Sequence, residues 1–338
     1  MRGWRVWLGL GISLIFLFIA FRGQNFNGIW DALRQADYVW LLPALLAYFI
    51  GVWVRAVRWH FLLRGIRRIS ARQLFPVVVI GYMANNVLPL RAGEVVRSYT
   101  LATRFQVSKS SSLATIAIER IFDGLTMLAF MLVASLSIAL TADLRYVTLL
   151  GSALFVVVLG MLFGFVLAPA VRHAGVRLVV KWLPGRFSER VESLANAFFE
   201  GLGILRRKED LAAVAGSSLL AWLCEAAMYG LVARGFNLHV SPWGILMVTA
   251  AANLATLIPS SPGYVGPFEN GVLLVLSGAL DITRATALSY AIVLHAVLLF
   301  PVTVLGMLFW WRESLSWRDV RRREIDVDVK VEEVAGYS

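Results

Sequence analysis

The chain is poor in the residues that build most enzyme centres. It has one cysteine, Cys224, so an internal disulfide and a cysteine-based metal site are both excluded. Four histidines, His60, His173, His239 and His295, lie too far apart in sequence for a ligand pair, and neither a metal nor a cofactor is expected. A phosphate-binding P-loop, a nucleophile elbow and a dinucleotide fingerprint are missing as well. Charge is the largest shortage. Only 16% of the 338 residues are charged, against 59% hydrophobic, where a soluble domain carries about 25% and about 45–50%. So few charges cannot cover the surface that so much apolar material would present to water. Disorder is excluded on the same ground.

What is present is a set of long apolar runs. A spanning helix needs about 20 such residues. Runs at 4–21, 111–140, 146–171, 211–234 and 284–311 meet that length, and so does one that begins near Tyr38 and carries Arg55 and Arg58 toward its end. The first follows a basic start without a small-residue cleavage pattern and reads as a retained helix. Three runs, 74–89, 243–259 and 268–280, are short, with proline and glycine at their ends, and so read as re-entrant or broken. The expected fold is an all-α polytopic membrane protein with about six full spans and two interrupted helical hairpins.

Net charge is +11, and its placement argues for a membrane surface rather than nucleic acid. Six arginines fall between residues 55 and 72, eight Lys/Arg within 172–208 and five arginines within 312–323. The segments 22–37 and 235–242 hold two and none. This pattern puts both termini and the 172–210 loop in the cytoplasm of a multi-pass cell-membrane protein. The two interrupted hairpins then enter from opposite faces. Within 172–210, apolar residues at three- and four-residue spacing mark an amphipathic helix, lying either on the inner leaflet or on the bundle. Residues 312–338 read as a basic, then acidic, loosely ordered tail after a transmembrane unit of residues 1–311.

A charged side chain inside a span costs about 2.5–3.5 kcal/mol on insertion scales. Three constellations therefore stand out. In the first, an apolar run reaches Asn85 and Asn86, breaks at Pro89 and returns through Arg91, Gly93, Glu94 and Arg97. Glu94 and Arg97 are three apart and can pair on a helix, and arginine suits a bidentate grip on phosphate. The second is Glu119, Arg120 and Asp123, roughly 12–18 Å along a helix from Ser111 and so near mid-membrane. The third runs from Asn253 through Pro259, Pro262, Gly263, Tyr264, Gly266 and Pro267 to Glu269, a stretch that cannot be a continuous span. The first and third share an order: Asn, Pro, a glycine reversal, then Glu. Paired broken segments of opposed topology, an inverted repeat, point to a transport site near the membrane middle. Glu225 reads as a lone intramembrane acid, Arg55 and Arg58 as side chains that snorkel to the inner interface, and His295 as a hydrogen-bonded structural histidine.

The ordered set of three motifs, from Asn85 to Arg97, Glu119 to Asp123 and Pro262 to Glu269, resembles the lysylphosphatidylglycerol synthase transmembrane family, also called flippase-like domain proteins. The resemblance covers roughly residues 5–311. It implies a helical module that moves a lipid or lipid-linked headgroup between leaflets. In the two-part synthases that module precedes a cytosolic aminoacyl-transfer domain; here 27 residues (338 − 311) follow Trp311, so lysyl transfer is not expected. The reading is a flippase or scramblase for an anionic or aminoacylated phospholipid or a lipid-linked headgroup, without ATP and without chemistry of its own. Arg91 and Arg97 would hold the phosphate, Glu119, Arg120 and Asp123 would line a polar path, and Glu94 and Glu269 would be charge partners or proton-coupled gates. The partners are membrane lipids, with a second copy or a lipid-modifying enzyme beside them and no nucleic acid. The alternative is an intramembrane enzyme on a polyprenyl-phosphate or phospholipid substrate, with Glu94, Asp123 or Glu269 as base.

Overall fold

The computed structural model describes residues 3–23, 26–88, 92–138, 208–258 and 260–312, with isolated positions between 145 and 160. Pro89, Arg91 and Pro259, the run at 146–171 apart from those positions, and nearly all of the 172–210 loop and the 312–338 tail lie outside the described residues. Those that are described are helical, with no strand among them. The helices are α1 Gly3–Phe21, α2 Phe26–Gln35, α3 Leu41–Leu63, α4 Ala71–Val87, α5 Gly93–Phe105, α6 Lys109–Ser135, α7 Lys208–Gly235, α8 Pro242–Ala255, α9 Pro267–Leu276 and α10 Arg284–Arg312.

Three of the described helical stretches are long and apolar enough to cross a membrane: Tyr38–Leu63, Glu209–Gly235 and Arg284–Arg312. The expected span at 146–171 lies almost wholly outside the described residues, so three clear apolar spans stand among those described. The first apolar run is a bent pair, Gly11–Phe21 and Phe26–Gln35, meeting at 85°. In α6, 27 residues are ample in length, but Glu119, Arg120 and Asp123 interrupt the apolar run at its middle. Large apolar side chains line one face of α3 at Leu42, Leu46, Ile50 and Trp53, and of α10 at Phe300, Val304, Met307 and Trp311, all of them exposed. The charged residues of α3 point the other way, with Arg55 3% and Arg58 0% exposed. That inside-out arrangement suits a bundle bathed in lipid.

Both interrupted regions fold as helix, break, helix. The Asn85 side chain accepts a hydrogen bond from Gly93 N at 2.8 Å, so α4 caps the start of α5 across the break. The second break holds a 3₁₀ turn, Pro262–Tyr264. Pro267 opens α9, and Glu269 accepts from Gly266 N at 2.6 Å, closing the first turn from within. Gly266 has φ 100°, a conformation open to glycine and strained for other residues.

The helices pack as one connected bundle. α3 lies along α7, where a Cβ on Gly51 would stand 3.2 Å from Ala221 O and from Cys224 Cβ, a small-residue contact of the kind that joins membrane helices. α10 packs on α4, and α8 packs on α9 and α6. Asn86 ties α4 to α10 through Leu299 O at 3.3 Å and Thr303 Oγ1 at 2.9 Å, two residues on either side of Pro301 in that helix. Neighbouring donors of this kind let a proline sit inside a membrane helix.

The α4–α5 hairpin is closed glycine on glycine. A Cβ on Gly93 would lie 2.1 Å from Gly81 O and 2.5 Å from Asn85 Oδ1. Gly93→Ala is expected to destabilise the protein by about 1–3 kcal/mol through overpacking, while Gly124→Ala, with nothing within 4 Å of the added carbon, should not. Thermal midpoints of the detergent-solubilised proteins check this.

Candidate functional site

The three sequence constellations converge on one cavity of about 150 Å³. The first contributes Asn85, Asn86 and Glu94, the second Arg120 and Asp123, the third Asn253, Gly263 and Tyr264. Arg55, Glu225 and His295 complete its polar lining, beside the aromatic rings of Tyr48, Tyr82, Trp222 and Phe268.

Below the cavity lies a buried charge cluster. Glu119, 0% exposed, takes both terminal nitrogens of Arg97 at 3.0 Å, Arg58 at 3.0 Å and Arg120 at 2.9 Å. Asp123 holds Arg58 at 2.6 Å and Arg120 at 3.2 Å, and accepts a hydrogen bond from Trp222 Nε1 at 2.8 Å. Arg58 also donates to Ser218 at 2.9 Å, and Arg97 stacks 4.1 Å over the Trp59 ring. Three guanidinium groups thus face two buried carboxylates, and the third carboxylate, Glu94, stands at the rim.

Arg120 brings the cluster to the cavity. Its side chain is 35% exposed, against 5% for Arg97 and 0% for Arg58. Its Nε has no hydrogen-bond partner, and Glu94 Oε1 stands 3.8 Å away in the loosest ion pair of the group. Glu94 itself is 32% exposed, at the first turn of α5. Across the cavity, Arg55 pairs with Glu225 at 2.6 Å, and Asn253 donates to Glu225 at 3.2 Å. His295 contacts Glu269 at 2.6 Å and Gly263 O at 2.7 Å. Glu269 stands behind the lining, reached through His295.

Several expectations change. Arg97 does not pair with Glu94; one turn of α5 carries it down into the cluster, where Glu119 occupies its fork and leaves it 4% exposed. Arg55 and Arg58 do not snorkel outward, because each finds a buried carboxylate. Glu225 is not a lone acid. The sequence signal for both was available: two arginines three apart in one apolar run and an unpaired acid in another, each costly in lipid unless they meet. The pairing of Arg120 with Asp123 at i+3 is as expected.

Residues 6–306 match the family described as Lysylphosphatidylglycerol synthase TM region. The chain belongs to that family. It is 27% identical over 293 residues to a UPF0104 membrane protein of Methanothermobacter thermautotrophicus, covering 82% of this chain and 86% of that one. A UPF0104 membrane protein of Pyrococcus horikoshii is 25% identical, covering 88% and 93%. Glycosyltransferase AglD of Haloferax volcanii is 27% identical over 317 residues, covering 82% of this chain and 49% of AglD. That relative corrects the expectation of a chain without chemistry of its own, since an enzyme is among the proteins it aligns with along most of its length. No solved structure matches.

Proposed function

We propose that this cavity receives the phosphate of an anionic or lipid-linked headgroup and passes it between leaflets of the cell membrane while the acyl chains stay in lipid. The observation that carries the reading is Arg120, one-third exposed on the cavity wall with its loosest ion pair, to Glu94 at 3.8 Å, turned to the cavity, in a bundle between two broken hairpins. A phosphate oxygen would take the unpartnered Nε–H and displace Glu94, the weakest of the arginine's partners. Arg58 and Arg97 are positioning residues in this scheme, holding Glu119 and Asp123, which in turn aim Arg120. Asn85 and Asn86 fix the cavity wall, and Tyr264 borders it. The clustering of arginines in 55–72, 172–208 and 312–323 supports cytoplasmic termini and hairpins of opposed entry.

Glu94 acts here as a competitor for the arginine. Glu94→Gln is therefore expected to tighten binding of phosphatidylglycerol by about fivefold, the effect of removing about 1 kcal/mol of like-charge repulsion at this range. Titration of the purified protein with the lipid in neutral detergent tests it. Unchanged or weaker binding at low salt would remove Glu94 from the site.

The similarity to AglD favours a second reading of the same cavity, in which the lipid-linked headgroup it holds is the substrate of a glycosyl-transfer reaction. Mass spectra of membrane lipids incubated with the purified protein and sugar nucleotides would show a hexose-sized gain. No such gain, with lipid movement intact, would leave passage as the activity.

A further inference from the structure

Glu269 and His295 have a contact pattern that the lipid scheme does not use. The imidazole Nε2 lies 2.7 Å from Gly263 O. A carbonyl oxygen only accepts, so Nε2 carries a proton in this arrangement. The other nitrogen, Nδ1, lies 2.6 Å from Glu269 Oε1. One further proton must occupy that contact, either on the ring as an imidazolium facing a carboxylate or on the acid facing a neutral ring. Without it, two lone pairs would meet at hydrogen-bond distance, and the contact could not persist.

The contact joins two elements of the cavity wall. Gly263 and His295 both line the cavity, and the reversal at 260–266 meets α10 through this histidine. On its other side the reversal is held to α1, where Ser261 N donates to Ser13 Oγ at 2.9 Å and Asn270 donates to Phe16 O at 2.7 Å. Glu269 Oε2 accepts from Gly266 N, so the carboxylate is anchored to the reversal rather than to α10. Losing the shared proton thus removes one of the two links from the reversal to α10, leaving Nε2–H on Gly263 O as the other, while the α1 side stays attached.

We propose that Glu269 and His295 form a proton-binding site on the cavity wall: one proton held between them closes the 260–266 reversal onto α10, and its release to water opens that wall. The bond that breaks is the N–H or O–H of the shared proton, which leaves as hydronium or to a buffer base, and the pair is left with one negative charge. The charged groups facing the same cavity are Arg55 with Glu225 and Arg120 with Asp123 and Glu94. The phenols of Tyr48, Tyr82 and Tyr264 border it from α3, α4 and the reversal. Coupling of this proton to lipid movement rests on the passage reading; the latch itself does not.

Ser260 offers the probe. Its hydroxyl is buried and makes no hydrogen bond, so Ser260→Cys removes no contact, and Cys224→Ser leaves it as the sole thiol. In reconstituted vesicles a membrane-impermeant maleimide should label this cysteine about tenfold faster at about pH 9 than at about pH 5, relative to the same protein carrying Glu269→Gln. The glutamine amide can donate to neutral Nδ1 and hold the latch closed at both values, and the comparison cancels the thiol's own titration. His295→Gln, which has no ring to titrate, is the second comparator. Equal labelling at both pH values, or the same rise in either comparator, overturns the latch. If the rise is seen but a pH gradient leaves a fluorescent phospholipid at the protein-free rate, the coupling to lipid fails and the latch stands.

Discussion

Replacing Glu119 by glutamine is expected to lower the stability of the bundle by about 3–5 kcal/mol, the cost of breaking a buried ion pair by removing one partner. Glu119 has no solvent-accessible surface and binds three arginines from three helices: Arg58 of α3, Arg97 of α5 and Arg120 of its own α6. Glutamine keeps the shape and loses the charge, so Arg97 would be left in the core without a counter-ion and Arg58 with Asp123 alone. Buried as they are, neither can reach water without unpacking its helix. The expected result is a clear fall in thermal midpoint in detergent and reduced accumulation in membranes. Glu94→Gln, changing a half-exposed carboxylate at the rim, should leave the midpoint near that of the wild type. A stable Glu119→Gln protein would mean that the cluster is hydrated.

Arg120→Ala should have the opposite profile, with folding largely kept and lipid binding lost. The side chain is one-third exposed, and Arg58 and Arg97 still hold Glu119 and Asp123 once it is gone. It is also the cluster's only guanidinium on the cavity wall. Loss of its charge-assisted hydrogen bonds is worth about 1.5–3 kcal/mol, which weakens binding of phosphatidylglycerol roughly 10–100-fold. Arg120→Lys should recover only part of this, because an ammonium keeps the charge and lacks the planar fork. Quenching of tryptophan fluorescence during the lipid titration can report binding, since Trp222 lines the same cavity. Phosphatidylcholine serves as the headgroup of no net charge.

The two breaks were legible because proline and glycine cannot continue a membrane helix, and Asn85, Asn86, Glu94, Arg120 and Asp123 stood out because charge and amides are costly in lipid. Their convergence on one cavity was not legible in the sequence and comes from the structure. What could not be read was the pairing. Arg55 meets Glu225 across 170 residues and Arg58 meets Asp123 across 65, and helix periodicity says which face a residue occupies but not which helix faces it. The same limit explains Arg97. Spacing made Glu94 its natural partner on α5, yet the packing of α5 on α6 turned it toward Glu119. His295 looked structural because a lone histidine in an apolar run carries no sign of the carboxylate 26 positions earlier. In α6 a related point holds: a helix that buries its charges among its neighbours need not be apolar along its own length.

The central claim is that this cavity lets a lipid headgroup cross the bilayer, with Arg120 as the group that holds its phosphate. The most direct measurement is the rate at which an outer-leaflet quencher bleaches a fluorescent phosphatidylglycerol in vesicles holding the wild-type protein, the Arg120→Ala variant or no protein. The expected result is bleaching that passes beyond the outer-leaflet share with wild type alone, while Arg120→Ala matches empty vesicles. Bleaching that stops at the outer-leaflet share with wild type, or that proceeds equally with Arg120→Ala, would contradict it.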